Sequence, residues 1–230
     1  DRIEIIENWL KTQLNQGFEM QPASSDASFR RYFRIISNNK TYILMDAPPD
    51  LERIDHFINI TNKLAIVEIN SPKIISLSIE LGLILMTDFG SQTFLDVLDS
   101  NNSNELYLKA IHSLLKIQTK VDTQGLQDYS EELLVGEMSL FPEWYLTKLK
   151  KFTPEDKASL SNTFSLVTKK ILTQNKCFVH RDYHSRNLMF IAKGNPGILD
   201  YQDAVLGPLT YDLVSLLKDA YIEWDEDFVL

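Results

Sequence analysis

The chain of 230 residues contains a single cysteine, Cys177, so no intrachain disulfide can form. Cys177 stands beside Phe178 and Val179 and reads as a small buried hydrophobe rather than a nucleophile. Basic residues are also in deficit. The formal net charge of −9 leaves no excess of Lys and Arg to neutralise a nucleic-acid backbone, which argues against a general nucleic-acid binder. A small phosphorylated ligand stays open, because it needs only a local cluster of donors. No apolar run reaches about 18 residues, and nothing resembles a signal peptide. No membrane span is therefore expected, and the cytoplasm is the default setting. Internal repeats are missing, the longest low-complexity stretch is Asn101-Asn102-Ser103-Asn104, and nothing implies an obligate protein partner. What remains is 44% hydrophobic and 24% charged. That is ordinary for a globular chain able to bury a core as one large domain or two lobes.

The first part of the chain reads as an antiparallel sheet with helices. Ile3, Ile6, Leu10 and Leu14 share one face of a helix over 3–16 that Gly17 can end. Phe18 to Gln21 is a short extended piece that Pro22 is expected to stop. Arg31 to Ile36 and Thr41 to Met45 read as strands joined by the hairpin turn Ser37-Asn38-Asn39-Lys40. Asp50 is expected to cap a helix running to about Ile69. Strands follow near Ile74-Ile75 and over Leu83-Ile84-Leu85-Met86. From Thr93 the pattern changes to long helices, over about 93–99, 104–119, 131–149 and 154–174. Short strands at 177–180 and 187–191 flank a polar loop. The turn Lys193-Gly194-Asn195-Pro196-Gly197 leads back through Ile198 to Tyr201, and a last helix begins near Thr210. The boundary is expected at Thr87-Asp88-Phe89-Gly90, giving a nucleotide-binding lobe over 1–89 and a catalytic and substrate lobe over 90–230. The apolar end Asp227-Phe228-Val229-Leu230 carries no stop signal and suggests an incomplete second lobe.

The polar loop is His180-Arg181-Asp182-Tyr183-His184-Ser185-Arg186-Asn187, which fits H-R-D-x-x-x-x-N, and Asp200 follows inside the apolar run Ile198-Leu199-Asp200-Tyr201. Phosphoryl transfer from ATP needs a carboxylate to take the proton of an attacking hydroxyl, and oxygen ligands for Mg²⁺ beside the phosphates. Asp182 is the candidate base, and Asn187 and Asp200 are the candidate Mg²⁺ ligands. His180 reads as a brace for the loop rather than a second base. Asp203 is a candidate for a second metal or for holding the loop, and Asp212 for an acceptor of loop amides or a plain helix cap. His184 lies four residues from His180, but no third ligand at suitable spacing supports zinc. Upstream, the small polar turn from Ser24 to Ser28 precedes Phe29, Arg30 and Arg31. Its backbone amides can approach phosphates as glycine-rich loops do, and either arginine can add a positive charge.

The tripeptide Asp88-Phe89-Gly90 spells the metal-binding motif of protein kinases but stands before the catalytic loop instead of after it. It reads as a decoy. Its place after an apolar strand suits the connector where adenine would meet backbone. Only eleven residues separate Asp200 from Asp212, and no A-P-E sequence occurs. That leaves little platform for a peptide substrate and favours a small hydroxylated acceptor.

These residues carry a resemblance that spans essentially the whole chain. Ser25 to Arg34, Leu44-Met45-Asp46-Ala47-Pro48-Pro49, Leu85-Met86-Thr87-Asp88, Phe141-Pro142-Glu143-Trp144-Tyr145, the His180 to Asn187 loop, and Leu199 through Asp203 to Tyr211-Asp212-Leu213 resemble the aminoglycoside phosphotransferase and choline kinase superfamily. Within it they are most similar to bacterial kinases of the anomeric hydroxyl of N-acetylmuramate and N-acetylglucosamine. The resemblance implies an α+β, two-lobed kinase-like fold with a small antiparallel sheet lobe and a larger helical lobe. It implies ATP and Mg²⁺ as cofactors and an amino sugar phosphorylated at O1 in cell-wall recycling. It places the nucleotide at Ser25, Asp26, Ala27, Ser28, Phe29, Arg30, Arg31, Met86 and Asp88, and the sugar at Glu137, Glu143, Trp144 and Tyr145. Family members continue beyond this chain's end. No lysine stands between Lys40 and Lys63, where most kinase-like folds carry one for the α- and β-phosphates. Arg30 or Arg31 would have to substitute. Another small-molecule hydroxyl, such as that of an aminoglycoside, or a non-catalytic nucleotide-binding role are the alternatives.

Overall fold

A computed structural model describes residues 1–14, 17–25, 29–148 and 153–230, with the backbone alone described at Ser24, Ser25 and Pro154. The N-terminal part is one antiparallel sheet of β1 (Glu19–Ser25), β2 (Arg31–Ser37), β3 (Lys40–Asp46), β4 (Ile74–Ser78) and β5 (Leu83–Thr87), in the order β1-β2-β3-β5-β4. The turn joining β2 and β3 puts Asn38 and Asn39 at φ 50° and 58°. This is the pair of left-handed residues that a twisted two-residue hairpin turn demands and that asparagine tolerates. Pro22 does not end β1 as its sequence context suggests. The strand continues past it through a register shift between Pro22 and Ser24. β1 is an edge strand, where a missing N–H costs no ladder bond.

Side-chain alternation gives the sheet two different faces. Ile35, Leu44, Leu83 and Leu85 pack with Ile6 and Leu10 of α1 (Arg2–Gln13). Met45, Ile84 and Met86 point the other way, into a core shared with Phe57, Ile60 and Leu64 of α2 (Asp55–Ile66). α2 begins four residues later than a cap at Asp50 would start it. The carbonyl of Pro48 takes the amides of Leu51 and Glu52 into a turn instead, and Asp50 caps nothing.

The second part is mainly helical: α3 (Phe94–Val97), α4 (Ser103–Lys120), α5 (Glu131–Leu140), α6 (Pro154–Ile171), α7 (Tyr211–Leu217) and α8 (Glu226–Val229). Two capping boxes, Thr93 with Asp96 and Thr153 with Asp156, start α3 and α6. The helix expected over 131–149 widens after Leu140 into a π-helical turn, Phe141–Leu146, where the Thr147 amide reaches back to the Pro142 carbonyl. Pro142 has no N–H to continue the regular ladder, and a wider turn absorbs the missing bond. Two small antiparallel two-stranded sheets complete this part: β6 (Lys176–Val179) with β9 (Val205–Pro208), and between them in sequence the hairpin of β7 (Leu188–Met189) with β8 (Gly197–Ile198). Among the described residues, β9 is the one strand the sequence does not signal, because its Gly207 and Pro208 look like loop.

The large core runs unbroken from Met45 and Met86 of the sheet to Leu106 and Leu114 of α4 and on to Phe178, Leu188 and Ile198 of the two small sheets and Tyr201 just beyond β8. The sheet part and the helical part thus share one apolar interior. This is the expected two-lobed α+β kinase-like fold, with a small antiparallel β-sheet lobe and a larger mainly helical lobe.

Candidate active site

Both small two-stranded sheets hold loops. β6 delivers the chain to His180, while β9, paired so that Val179 faces Val205, brings Asp203 alongside. Leu188 of β7 faces Ile198 of β8, so Asn187 and Asp200 emerge side by side, and the Leu199 amide bonds the Asn187 carbonyl at 2.9 Å. Residues distant in sequence therefore meet by register. The Asn187 Nδ2 donates to the Asp182 carbonyl at 3.0 Å and to Asp200 Oδ2 at 3.3 Å. The Gln202 amide donates to Asp200 Oδ1 at 2.7 Å.

His180 and Asp212 form the base of the loop. Asp212 is fully buried and accepts the amides of His180 at 2.7 Å and Arg181 at 3.0 Å. The His180 ring is buried too. Its Nε2 lies 2.9 Å from the Leu199 carbonyl, and its Nδ1 accepts the Asp182 amide at 3.3 Å. One nitrogen donates and the other accepts, so the ring is a neutral imidazole. Burial pushes its pKa down to about 3. The residues between the functional positions are anchors: the Tyr183 hydroxyl donates to the Ala110 carbonyl at 2.8 Å, and the Ser185 amide to Asp219 at 2.9 Å.

Asp182 is exposed where these loops meet. The protein crowding around it, and then the charge of Asp200, push its pKa above the ordinary carboxylate value, with His184 and Arg181 pulling the other way. Two side chains here occupy left-handed backbone, Arg181 at φ 79° and Asp200 at φ 62°. Strain in non-glycine residues collects where surrounding structure enforces a functional geometry.

The two arginines go to opposite sides of the sheet. Arg31 faces Asp46 across the β2–β3 ladder, and both lie on the α1 face. Buried Asp46 accepts Arg31 at 2.5 Å and Arg2 of α1 at 2.6 Å. Arg31 is thereby turned away from the cleft, contrary to its candidacy as a phosphate contact. Arg30 is buried on the other side and pairs with Glu52 at 2.7 Å. Phe29 beside it is largely exposed, and Asp26, Ala27 and Ser28 lie outside the described residues, as does the side chain of Ser25.

At the connection between the lobes, Arg34 holds Asp88 at 2.7 Å and the Gly90 carbonyl at 2.8 Å, while Asp88 accepts the Gly90 amide. Burial works against the Asp88 charge, but Arg34 and the Gly90 amide outweigh it and keep its carboxyl below the ordinary value. The Asp88 side chain is thus occupied in shaping the connection, and Phe89 packs its ring over Gly197 of β8. Met86 is buried in the shared core.

Of the four residues assigned to the sugar side, Glu143, Trp144 and Tyr145 are exposed on the π-helical turn. Tyr145 stacks on Phe141 at 5.5 Å, and Lys148 lies over the Trp144 ring at 5.3 Å. Glu137 is different. One of its oxygens takes the Arg181 guanidinium and the other takes the Tyr129 hydroxyl, with the Tyr211 hydroxyl 3.4 Å away. Its carboxylate is engaged by protein donors rather than held out to a ligand. Sequence reasoning missed this network and the Gln202 contact. The signal available was a lone acid, Glu137, within the apolar stretch Leu133 to Met138.

An α+β kinase fold with an acid–amide–acid cluster in its cleft defines a phosphotransferase class, and comparison with known proteins agrees. The fold superposes on choline kinase LicA from Streptococcus pneumoniae with a TM-score of 0.71, at 16% identity over 99% of this chain and 78% of that one. It superposes on the ADP-bound aminoglycoside phosphotransferase APH(2'')-Ib with a TM-score of 0.70, at 16% identity over 97% and 78%. Residues 19–230 match the family model described as "Phosphotransferase enzyme family", and the chain belongs to that family. Among similar sequences is the N-acetylmuramate/N-acetylglucosamine kinase of Pseudomonas putida, 40% identical over 98% of this chain and 70% of that protein. The proteins of the same name from Pseudomonas aeruginosa and Neisseria meningitidis serogroup B are 43% and 38% identical, over 90% and 98% of this chain. The chain spans 62% and 69% of the lengths of those two. Among the described residues, no helix is long and apolar enough to cross a membrane.

Proposed function

We propose that this chain carries the catalytic machinery of an ATP-dependent kinase that phosphorylates the anomeric hydroxyl of N-acetylmuramate or N-acetylglucosamine, in the cytoplasm, where ATP is at hand. The observation that carries the phosphotransferase chemistry is the meeting of Asp182, Asn187 and Asp200 through the bonds of the Asn187 amide. The amino-sugar acceptor is supported by the relatives' names at 38–43% identity.

Asp182 takes the proton of the sugar O1 hydroxyl. O1 attacks the γ-phosphorus as the bond to the β-phosphate oxygen breaks, leaving the sugar 1-phosphate and ADP. The anomeric hydroxyl is more acidic than a ring alcohol, so a carboxylate can serve as its base. The donor set suits a hard cation. Asn187 spends its Nδ2 on the Asp182 carbonyl and on Asp200, so its amide oxygen and the Asp200 carboxylate are the groups that would hold Mg²⁺. Bound there, Mg²⁺ would neutralise charge on the β- and γ-phosphates. Arg30, braced by Glu52, is the cation we assign to the phosphates in place of a strand lysine. The segment from Ser25 to Ser28 would cover them, and the backbone near Met86 and Asp88 would meet adenine. Residues 1–89 and 90–230 serve as the nucleotide and substrate lobes, and Trp144, Tyr145 and Glu143 face the sugar.

The test is an acceptor panel with ATP and Mg²⁺, run with the complete protein and read by phosphorus NMR. N-acetylmuramate or N-acetylglucosamine should give an anomeric phosphate, and the 1-O-methyl glycoside should give none. Equal phosphorylation of sugar and glycoside would refute transfer to O1. Turnover of kanamycin with neither sugar accepted would move the assignment to aminoglycosides.

A further inference from the structure

We propose that Glu137 is a positioning residue that sets Asp182 through Arg181, tying the helix of the acceptor side to the catalytic loop. The inference rests on Asp182 being the base and deepens that reading.

Arg181 immediately precedes Asp182 and adopts a left-handed backbone, φ 79°, that a side-chain-bearing residue does not hold unaided. It is fixed from several directions at once. Its amide is tied to Asp212 at 3.0 Å, its Nη2 to Glu137 of α5, and its Nη1 lies 3.4 Å from the Asp203 carbonyl just beyond Asp200. Its guanidinium carbon also lies 5.9 Å from the centre of the Tyr129 ring, at cation–π distance. Glu137 is fixed in turn by the hydroxyl of Tyr129, itself 1% exposed. One guanidinium thus spans α5, the catalytic loop and the loop after Asp200.

The position of Glu137 gives the strut its meaning. It stands one helical turn before Phe141, where α5 runs into the π-helical turn that exposes Trp144 and Tyr145 by 63% and 59%. A side chain meant for the sugar would keep its oxygens for hydroxyl or amide protons. Those of Glu137 are engaged by Arg181 and Tyr129. The helix presenting the acceptor-side aromatics is therefore bolted to the residue next to the base, and its seating controls where Asp182 meets the incoming hydroxyl.

The test uses the complete protein and six variants, Glu137→Gln, Arg181→Met, the double variant, Asp182→Asn, Arg181→Lys and Tyr129→Phe, with kcat and both KM values measured. Each single change is expected to lower kcat roughly 10²-fold by misplacing the base, with acceptor KM held within about threefold. The double variant should be no worse than either single change, because the two residues act as a unit. Arg181→Lys, which keeps the charge but not the fork, should recover part of kcat. Tyr129→Phe keeps the ring and removes only the hydroxyl on Glu137, and it should show the same kcat-selective loss in milder form even if a harsher variant folds poorly. A raised acceptor KM with normal kcat in Glu137→Gln would make Glu137 a sugar ligand and overturn the inference. Losses that multiply in the double variant would overturn it too. If Asp182→Asn itself turns over normally, the failure lies in the proposed function and not in the strut.

Discussion

Asp212→Asn is predicted to change the pH dependence of stability as well as its size. Asp212 is fully buried beneath the catalytic loop and accepts two amides, those of His180 and Arg181. Alanine there strands both N–H groups at about 1–3 kcal/mol each, so about 2–6 kcal/mol in all. That is a large part of the 5–15 kcal/mol, roughly, by which domains are stable. Asparagine keeps one acceptor oxygen and should lose about half as much. The pH term comes from burial, which pushes the Asp212 pKa up to about 7 and the neighbouring His180 down to about 3. Unfolded, these groups titrate near about 3.9 and 6.5.

The folded state therefore holds an extra proton at Asp212 between about pH 4 and 7, and stability falls there as pH rises. At His180 the unfolded state holds the extra proton between about pH 3 and 6.5, and stability rises with pH. The two slopes oppose each other over about pH 4–6.5. Removing the Asp212 carboxyl leaves the His180 slope uncompensated. Chemical denaturation of both proteins from pH 4 to 7 checks this. The deficit of Asp212→Asn relative to the parent should widen toward low pH, by up to about 1.4 kcal/mol per unit. A deficit that is constant across that range, or that narrows toward acid, refutes the reasoning.

Arg30→Met and Arg31→Met should separate cleanly. The first should raise the KM for ATP, because Arg30 lies on the cleft side with Glu52. The second should leave that KM unchanged and lower thermal stability, because Arg31 serves the buried Asp46 on the α1 face. Gly197→Ala puts a Cβ 2.7 Å from the Phe89 ring. It should cost about 1–3 kcal/mol of overpacking, read as a lowered unfolding midpoint with a weakened ATP response, since β8 leads directly to Asp200.

The architecture was legible because the local signals agree with one another. Asn38-Asn39 marks the central hairpin, the alternation in Arg31–Ile36 and Thr41–Met45 gives its strands, and the H-R-D loop with the aspartate after the next hairpin announces the cleft. Where expectation and structure part, a tertiary contact is responsible. Pro22 stays in β1 because an edge forgives it, Asp50 is passed over for a turn on Pro48, and Pro142 reshapes a helix that periodicity alone would run straight through. The same holds at the site. Sequence could propose Arg30 and Arg31 equally, since neighbours in a chain look alike until strand pairing sets Arg31 opposite Asp46 and Glu52 takes Arg30. Glu137 looked like a sugar contact because nothing in its surroundings reveals that Arg181, 44 residues on, takes its carboxylate.

Asp182→Asn in the complete protein tests most directly whether Asp182 is the base for the acceptor hydroxyl. ATP affinity should stay within a few fold, because the side chain works on the acceptor, while turnover of the amino sugar should fall roughly 10²–10⁴-fold. Turnover close to that of the parent protein would contradict that role for Asp182.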